Sequence, residues 1–160
     1  MTRVPIRPDI WLGLALGAVF GAWALVSTAL DPLADDSIPA VALFYGPMFT
    51  AWGIAGFLAY RRDGRLTSSL KSGMLVAFVT FVVFHVAQFI RVNLFLDSIT
   101  ARLDWRYVVS SYEASGFKSL RAYANVFYLK EAPFKIFAFS VFGAAFGYVG
   151  GISARLRHRQ

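Results

Sequence analysis

The sequence predicts an all-α membrane protein, a bundle of four transmembrane helices. Four long apolar runs support this prediction, at 10–30, 38–60, 73–96 and 134–154. Each run has about 21–24 residues, and at about 1.5 Å per residue each can cross a hydrocarbon core of about 30 Å. We therefore expect a single integral membrane domain over 1–160, with an extramembrane segment at 97–132 between the third and fourth helices.

The overall composition agrees with a membrane protein and argues against a soluble one. Of the 160 residues, 58% are hydrophobic and 16% are charged, whereas soluble domains have about 45–50% apolar and about 25% charged residues. The net charge of +7 does not indicate a nucleic-acid partner, because the basic residues lie beside apolar runs and form no aromatic–basic module. The lipid bilayer and its anionic headgroups are the expected partners. The chain has no cysteine, which excludes disulfides and thiolate metal sites.

The first run resembles a secretory signal, because Arg3 and Arg7 precede it and Ser27-Thr28-Ala29 lies near its end. It is longer than the apolar core of a typical signal peptide. We therefore expect this segment to be retained as the first membrane helix.

The charged residues near the apolar runs predict the orientation of the bundle. The basic ones are Arg3, Arg7, Arg61, Arg62, Arg65, Lys71, Arg155, Arg157 and Arg159, whereas the connection after the first run carries Asp31, Asp35 and Asp36. Positive residues near membrane ends stay on the cytoplasmic side. We therefore expect a multi-pass protein of a bacterial inner membrane, with both termini in the cytoplasm and segment 97–132 outside.

Prolines and glycines indicate where the helices begin, end or bend. Pro8, Pro39 and Pro133 lie where three of the helices are expected to start, since proline is tolerated in a first helical turn. Pro47 lies within the second run, where it removes a backbone hydrogen bond and predicts a kink. In segment 97–132, apolar residues recur at helical spacing on both sides of a break at Ser115-Gly116. This pattern predicts two short amphipathic helices on the outer surface, either as a cap or as a surface for a partner or a lipid-like ligand.

Two rows of glycines at four-residue spacing predict close helix packing. They are Gly13, Gly17 and Gly21 in the first helix and Gly143, Gly147 and Gly151 in the fourth. Residues four apart share one helix face, so each row offers a groove that another backbone can approach. The sequence leaves three arrangements open: the two rows meet each other, each row pairs with another subunit, or the glycines line a pore.

The third run contains an unusual row of polar residues. His85, Gln88 and Arg91 are three residues apart and lie along one helix face, at a depth where polar groups are costly unless they are partnered. One interpretation is structural, with internal hydrogen bonds and with Arg91 reaching the outer interface. A second is a vestibule for a proton, an ion or an anionic headgroup. A third is ligation of haem or another pigment by His85, which is the one cofactor hypothesis the sequence offers.

The sequence contains no catalytic constellation and no residue spacing of a metal site, so we expect a protein that is not an enzyme. The glycine rows and the small extramembrane mass predict an accessory or assembly subunit. Its partners would be other membrane subunits or further copies of itself, contacted through the glycine faces. The alternatives are a small transporter or channel that uses His85, Gln88 and Arg91, and pigment or haem binding.

Overall fold

The computed structural model describes residues 7–31 and 37–157, and these residues form helices and no strands. The helices are α1 (Pro8–Leu30), α2 (Ile38–Asp63), α3 (Leu66–Ile99), a short 3-10 helix (Leu103–Trp105), α4 (Arg106–Ser115) and α5 (Leu120–Arg157). The helices α1, α2, α3 and α5 are long and apolar enough to cross a membrane, which confirms the predicted all-helical fold with four helices of membrane-spanning length. The predictions that used Arg3, Asp35, Asp36 and Arg159 concern residues outside the described ranges.

Several helix ends follow from local chemistry that is visible in the sequence. The Ser37 hydroxyl accepts a hydrogen bond from the Ala40 amide and caps α2, while prolines lie in the first turns of α1 and α2. Gly64 ends α2 and Gly116 ends α4, both with a positive φ, at 66° and 72°, a conformation that glycine adopts without strain. Pro47 lies inside α2. The kink that the sequence predicts at this position stays a prediction.

α3 and α5 are much longer than the apolar runs that predicted them. α3 has 34 residues, with a kink at Phe95 where the backbone is not helical (φ −119°, ψ 21°), and α5 has 38. The part of α3 before Phe95 is about 44 Å long and α5 about 57 Å. The expectation that Pro133 starts a helix is wrong, because α5 continues through it. The part of 97–132 after Gly116 is therefore largely the first turns of α5 and not a separate short helix. A membrane helix tolerates an internal proline where its neighbours compensate for the lost hydrogen bond.

α3 is the central helix of the bundle. It packs against α1 on one side and against α2 and α5 on the other, and α2 also packs extensively on α5. α1 runs parallel to α3, since Gly13, Gly17 and Gly21 lie beside successively later residues of α3. One end of the bundle carries Arg61, Arg62, Arg65, Arg155 and Arg157, and we call it the basic end. The opposite end carries the 3-10 helix and α4, and we call it the cap end.

Both glycine rows are filled within the chain. A Cβ atom at Gly17 would lie 2.6 Å from the Val83 Cβ and 2.7 Å from the Thr80 carbonyl oxygen, so α1 packs on the backbone of α3. The row in α5 packs on another part of α3, where Gly143 meets Gly73 and Ala77, and Gly147 also meets Gly56 of α2. The two rows therefore do not face each other, which corrects that arrangement. Small residues allow these backbones to approach closely and to gain van der Waals contact.

The buried side chains form two apolar cores. The core in the middle of the bundle is built from aromatic and small residues of α1, α2 and α3, including Trp52, Phe81 and Phe84. The core at the cap end joins the last turns of α3 to the 3-10 helix, α4 and the start of α5, with Ile99 and Trp105 at its centre. The chain after α3 is thus folded onto the bundle by its own apolar side chains.

Candidate functional site

The polar row of α3 faces into the protein. The Arg91 Nε donates a hydrogen bond to the Thr28 hydroxyl of α1 at 2.5 Å, and its guanidinium also donates to the Gln88 side-chain oxygen at 3.1 Å. Thr28 and Gln88 are both buried. Arg91 therefore reaches across to α1, and its charge is held in place by hydrogen bonds from two helices.

His85 lies one and a half turns before Arg91, about 9 Å deeper along α3. Its Nδ1 is 2.8 Å from the Phe81 carbonyl oxygen. A carbonyl only accepts hydrogen bonds, so Nδ1 carries the proton and Nε2 is left as an acceptor. The ring also contacts Phe81 and Phe84, with centroids 5.9 Å and 6.1 Å away. This arrangement fixes the ring and leaves Nε2 able to accept a proton or to bind a ligand.

The three residues open on one cavity at the cap end, which we call the vestibule. It has a volume of about 460 Å³, within the range of about 300–1,000 Å³ that is usual for ligand pockets. Its polar lining residues are Ser27, Thr28, Asp31, Tyr45, His85, Gln88, Arg91, Arg102, Asp104, Tyr128 and Lys135. Its aromatic lining is formed by Phe44, Phe81, Phe84 and Phe139 together with Trp23. The vestibule thus combines hydrogen-bond donors with an apolar wall.

Residues that follow α3 in the sequence supply further charged groups of the vestibule. Arg102 is buried, with 6% of its side chain exposed, and donates to the Asp104 carboxylate at 2.9 Å. Lys135 pairs with Glu131 at 2.5 Å, as their four-residue spacing indicates. The Lys135 ammonium also lies 5.9 Å from the Tyr128 ring centroid. Arg102 and Lys135 are thus each paired with a carboxylate, and the described lining carries the cations Arg91, Arg102 and Lys135 together with the carboxylates Asp31 and Asp104.

Sequence reasoning missed the part of the vestibule that comes from outside α3. Arg102, Asp104 and Tyr128 all lie within segment 97–132, which the sequence predicts to lie on the outer surface. They reach the site because Trp105, which is 3% exposed, anchors the 3-10 helix in the core of the cap end. Trp105, an aromatic residue directly after Asp104, was the signal in the sequence that this charged pair is held against the bundle.

A second polar site lies at the basic end and was also missed. The Asp9 carboxylate accepts hydrogen bonds from the Ser72 hydroxyl at 2.7 Å and from the Arg7 guanidinium at 3.1 Å. Asp9 is 8% exposed, and Ser72 also lies 3.4 Å from the Ala55 carbonyl oxygen of α2. The carboxylate thus links the start of α1 to α3, and a negative charge is favourable in the first turn of a helix.

We expect Asp9→Asn to lower the stability of the bundle by about 1.5–3 kcal/mol, the usual value of a hydrogen bond to a charged group. The amide keeps an acceptor for Ser72 but removes the charge that attracts Arg7. Thermal unfolding of the purified protein in detergent measures the effect. Asp63→Asn is the matched control, because Asp63 is more exposed and pairs with its neighbour Arg62. Equal unfolding temperatures for the wild type and Asp9→Asn would show that the site does not hold α1 in place.

The predicted haem or pigment site depends on His85 alone. Within residues 7–31 and 37–157 no group of three His, Asp or Glu side chains is placed to hold a metal ion. The Nδ1 hydrogen bond of His85 resembles the arrangement in which a backbone carbonyl orients a metal-binding imidazole. Because of this similarity, binding of a haem or another pigment through His85 stays an alternative hypothesis for the same cavity.

Comparisons with protein-family models, with curated proteins and with solved structures found no match for this chain. A helix bundle does not identify a function, because one architecture supports many activities. The function is therefore inferred from the residues of the vestibule.

Proposed function

We propose that this protein is a non-catalytic membrane protein whose vestibule binds a ligand with an anionic group. The observation that supports the proposal is the convergence of Arg91, Arg102 and Lys135 with His85 and Gln88 on one cavity. Three separate stretches of the chain supply these five residues. Intramembrane ionisable residues are usually found where a substrate or ion is bound, because they are costly elsewhere.

The chemistry of the lining indicates how such a ligand would be held. The Arg91 guanidinium offers charge-assisted hydrogen bonds, which are about twice as strong as neutral ones. Gln88 accepts from Arg91 through its oxygen, which leaves its amide hydrogens as further donors. The aromatic residues Phe44, Phe81 and Phe139 would receive an apolar part of the ligand.

The proposed location is a bacterial inner membrane, with both termini in the cytoplasm. The support is the concentration of arginine at the basic end, where Arg61, Arg62 and Arg65 join Arg155 and Arg157. The cap end and the vestibule would then face the outer leaflet. As part of the same proposal, α4 and the start of α5 lie on the outer side of the membrane. Their apolar residues are turned toward the bundle.

The proposal is tested by comparing two soluble amphiphiles that differ in charge. Thermal unfolding of the purified protein in neutral detergent is followed with hexyl phosphate and with hexanol. A ligand that binds the folded state raises the unfolding temperature in a concentration-dependent way. We expect hexyl phosphate to raise it and hexanol to leave it unchanged. If neither compound raises the unfolding temperature, or if both do so equally, the vestibule is not an anion site.

Transport through the vestibule is a second candidate function. It is favoured by the depth of His85, whose Nε2 is left as an acceptor. Proton flux in proteoliposomes with a pH-sensitive dye tests it. We expect flux in the wild type, none for His85→Ala, and unchanged flux for Asn93→Ala, which bonds Asn125 and does not line the vestibule. An inactive wild type would exclude proton transport.

The predicted role as an accessory or assembly subunit remains a proposal. The glycine rows now support it less, because both pack within the chain. Contacts with other subunits or with further copies would use the cap end or the outer faces of the helices. A partner that copurifies in stoichiometric amount would support this role, and a strictly monomeric preparation without a partner would contradict it. The pigment alternative is tested by the visible absorption spectrum, since a colourless preparation contradicts it.

A further inference from the structure

We propose that the ligand is an anionic membrane lipid, and that it reaches the vestibule sideways through a gap between α1 and α2. This inference depends on the proposed anion site and names its ligand class and route. The headgroup would lie near Arg91 and Lys135, and the acyl chains would leave the vestibule between Trp23 of α1 and Val41 of α2.

The gap is visible in how the helices pack. α1 packs mainly on α3, whereas α2 packs mainly on α5 and α3, so α1 and α2 share few contacts. Phe20 and Phe44 meet below the vestibule, with ring centroids 5.1 Å apart. Above them Trp23 and Val41 line the vestibule while 61% and 40% of their surfaces remain exposed. The same side chains thus belong both to the cavity and to the outer surface of the bundle.

The depth of the gap indicates which molecules it faces. Trp23 lies seven residues before the end of α1 at Leu30, about 10 Å along the helix, and Val41 lies about 5 Å from the start of α2. In a bilayer of ordinary thickness this range extends from the headgroup layer into the acyl chains. A water-soluble anion would not pass through an opening at that depth. In the proposed orientation, a lipid of the outer leaflet would extend over this range of depth, with its headgroup near the level of Arg91.

The distribution of chemistry within the vestibule matches a molecule with a charged head and an apolar body. The cations Arg91, Arg102 and Lys135 lie on the sides formed by α3, the 3-10 helix and α5. The sides formed by α1 and α2 present the apolar Trp23, Val41 and Phe44 at the gap, with the polar Ser27, Thr28 and Tyr45 and the carboxylate of Asp31 elsewhere on these sides. A volume of about 460 Å³ holds a headgroup and the first part of the chains, so the rest of a two-chain lipid must extend through an opening.

The experiment measures lipids that stay bound to the purified protein. Wild type and variants are reconstituted in nanodiscs with equal amounts of phosphatidylglycerol and phosphatidylcholine, and bound lipids are counted by native mass spectrometry. We expect wild type to retain phosphatidylglycerol in preference to phosphatidylcholine. Val41→Trp fills the gap and should lower this retention at least about tenfold. Leu43→Trp is the matched control, because Leu43 is 73% exposed on the same helix and does not line the vestibule.

A further variant separates the route from the anion site. Arg91→Gln should also lower retention of phosphatidylglycerol, since it removes the charge that selects the headgroup. If Arg91→Gln lowers retention but Val41→Trp and Leu43→Trp both retain lipid as the wild type does, the sideways route is wrong and the anion site stands. If Arg91→Gln has no effect and neither lipid is preferred, the anion site is wrong as well.

A stability control excludes a simpler explanation. Val41→Trp must unfold at the wild-type temperature, and if it does not, the smaller change Val41→Phe replaces it in the same comparison.

Discussion

Replacing Gly147 with valine is expected to prevent the bundle from assembling correctly. A Cβ atom at Gly147 would lie 2.9 Å from the Gly73 Cα and 2.5 Å from the Ser69 carbonyl oxygen of α3. Both are backbone atoms of the central helix, so they cannot rotate away as a side chain would. Gly56 of α2 approaches the same residue from the other side. The variant would have to move α5 away from α3, although α5 also packs closely on α2 at this residue.

Overpacking of a well-packed core usually costs about 1–3 kcal/mol, and here we expect at least about 3 kcal/mol because backbone must move. Thermal unfolding and size-exclusion chromatography in detergent measure the loss of the folded form. Ala145→Val is the matched control, because Ala145 is exposed on the same helix.

Two results would contradict this expectation. Equal destabilisation by Ala145→Val and Gly147→Val would mean that valine is poorly tolerated in this helix for general reasons. A Gly147→Val protein that folds normally but changes from an oligomer to a monomer would mean that the glycine row works between subunits. The second result would favour the accessory-subunit hypothesis over packing within the chain.

Replacing Arg91 with glutamine is expected to weaken the binding of hexyl phosphate by about 10- to 100-fold. A hydrogen bond to a charged group contributes about 1.5–3 kcal/mol, and about 1.4 kcal/mol corresponds to a factor of ten in affinity. The fold should survive, because Thr28 keeps a hydrogen bond to the Ala24 carbonyl oxygen at 2.8 Å. Glutamine also retains polar groups that can meet Gln88.

The dissociation constant is obtained from the concentration dependence of the unfolding temperature. Arg121→Gln is the matched control, since Arg121 also lies at the cap end and donates to the Asn93 carbonyl oxygen but does not line the vestibule. Arg91→Lys should restore part of the affinity, because it keeps the charge and loses the planar fork. Similar affinities for wild type and Arg91→Gln would mean that Arg91 has a purely structural role between α1 and α3.

Much of the site depends on contacts that have no signature in the sequence. The row of His85, Gln88 and Arg91 follows from helical spacing alone, and its internal position follows from the cost of polar groups in lipid. The hydrogen-bond partner of Arg91 on α1 does not follow from helical spacing, because Thr28 is 63 positions from Arg91 in the sequence. Arg102 comes from segment 97–132 and Lys135 from the fourth apolar run, and their positions in the sequence do not indicate that they share a cavity with Arg91.

The sequence by itself determined the number of membrane helices, the approximate start of α1 and α2, and the end of α4 at Gly116. These features depend on hydrophobic length and on the backbone preferences of proline and glycine, which act locally. Only the tertiary structure decided that both glycine rows pack on α3, that α5 continues through Pro133, and that the vestibule includes Arg102, Asp104, Tyr128 and Lys135. These features depend on which helix faces meet. Several pairings of similar apolar helices satisfy the same local preferences, and only the packing of all four helices together selects one of them.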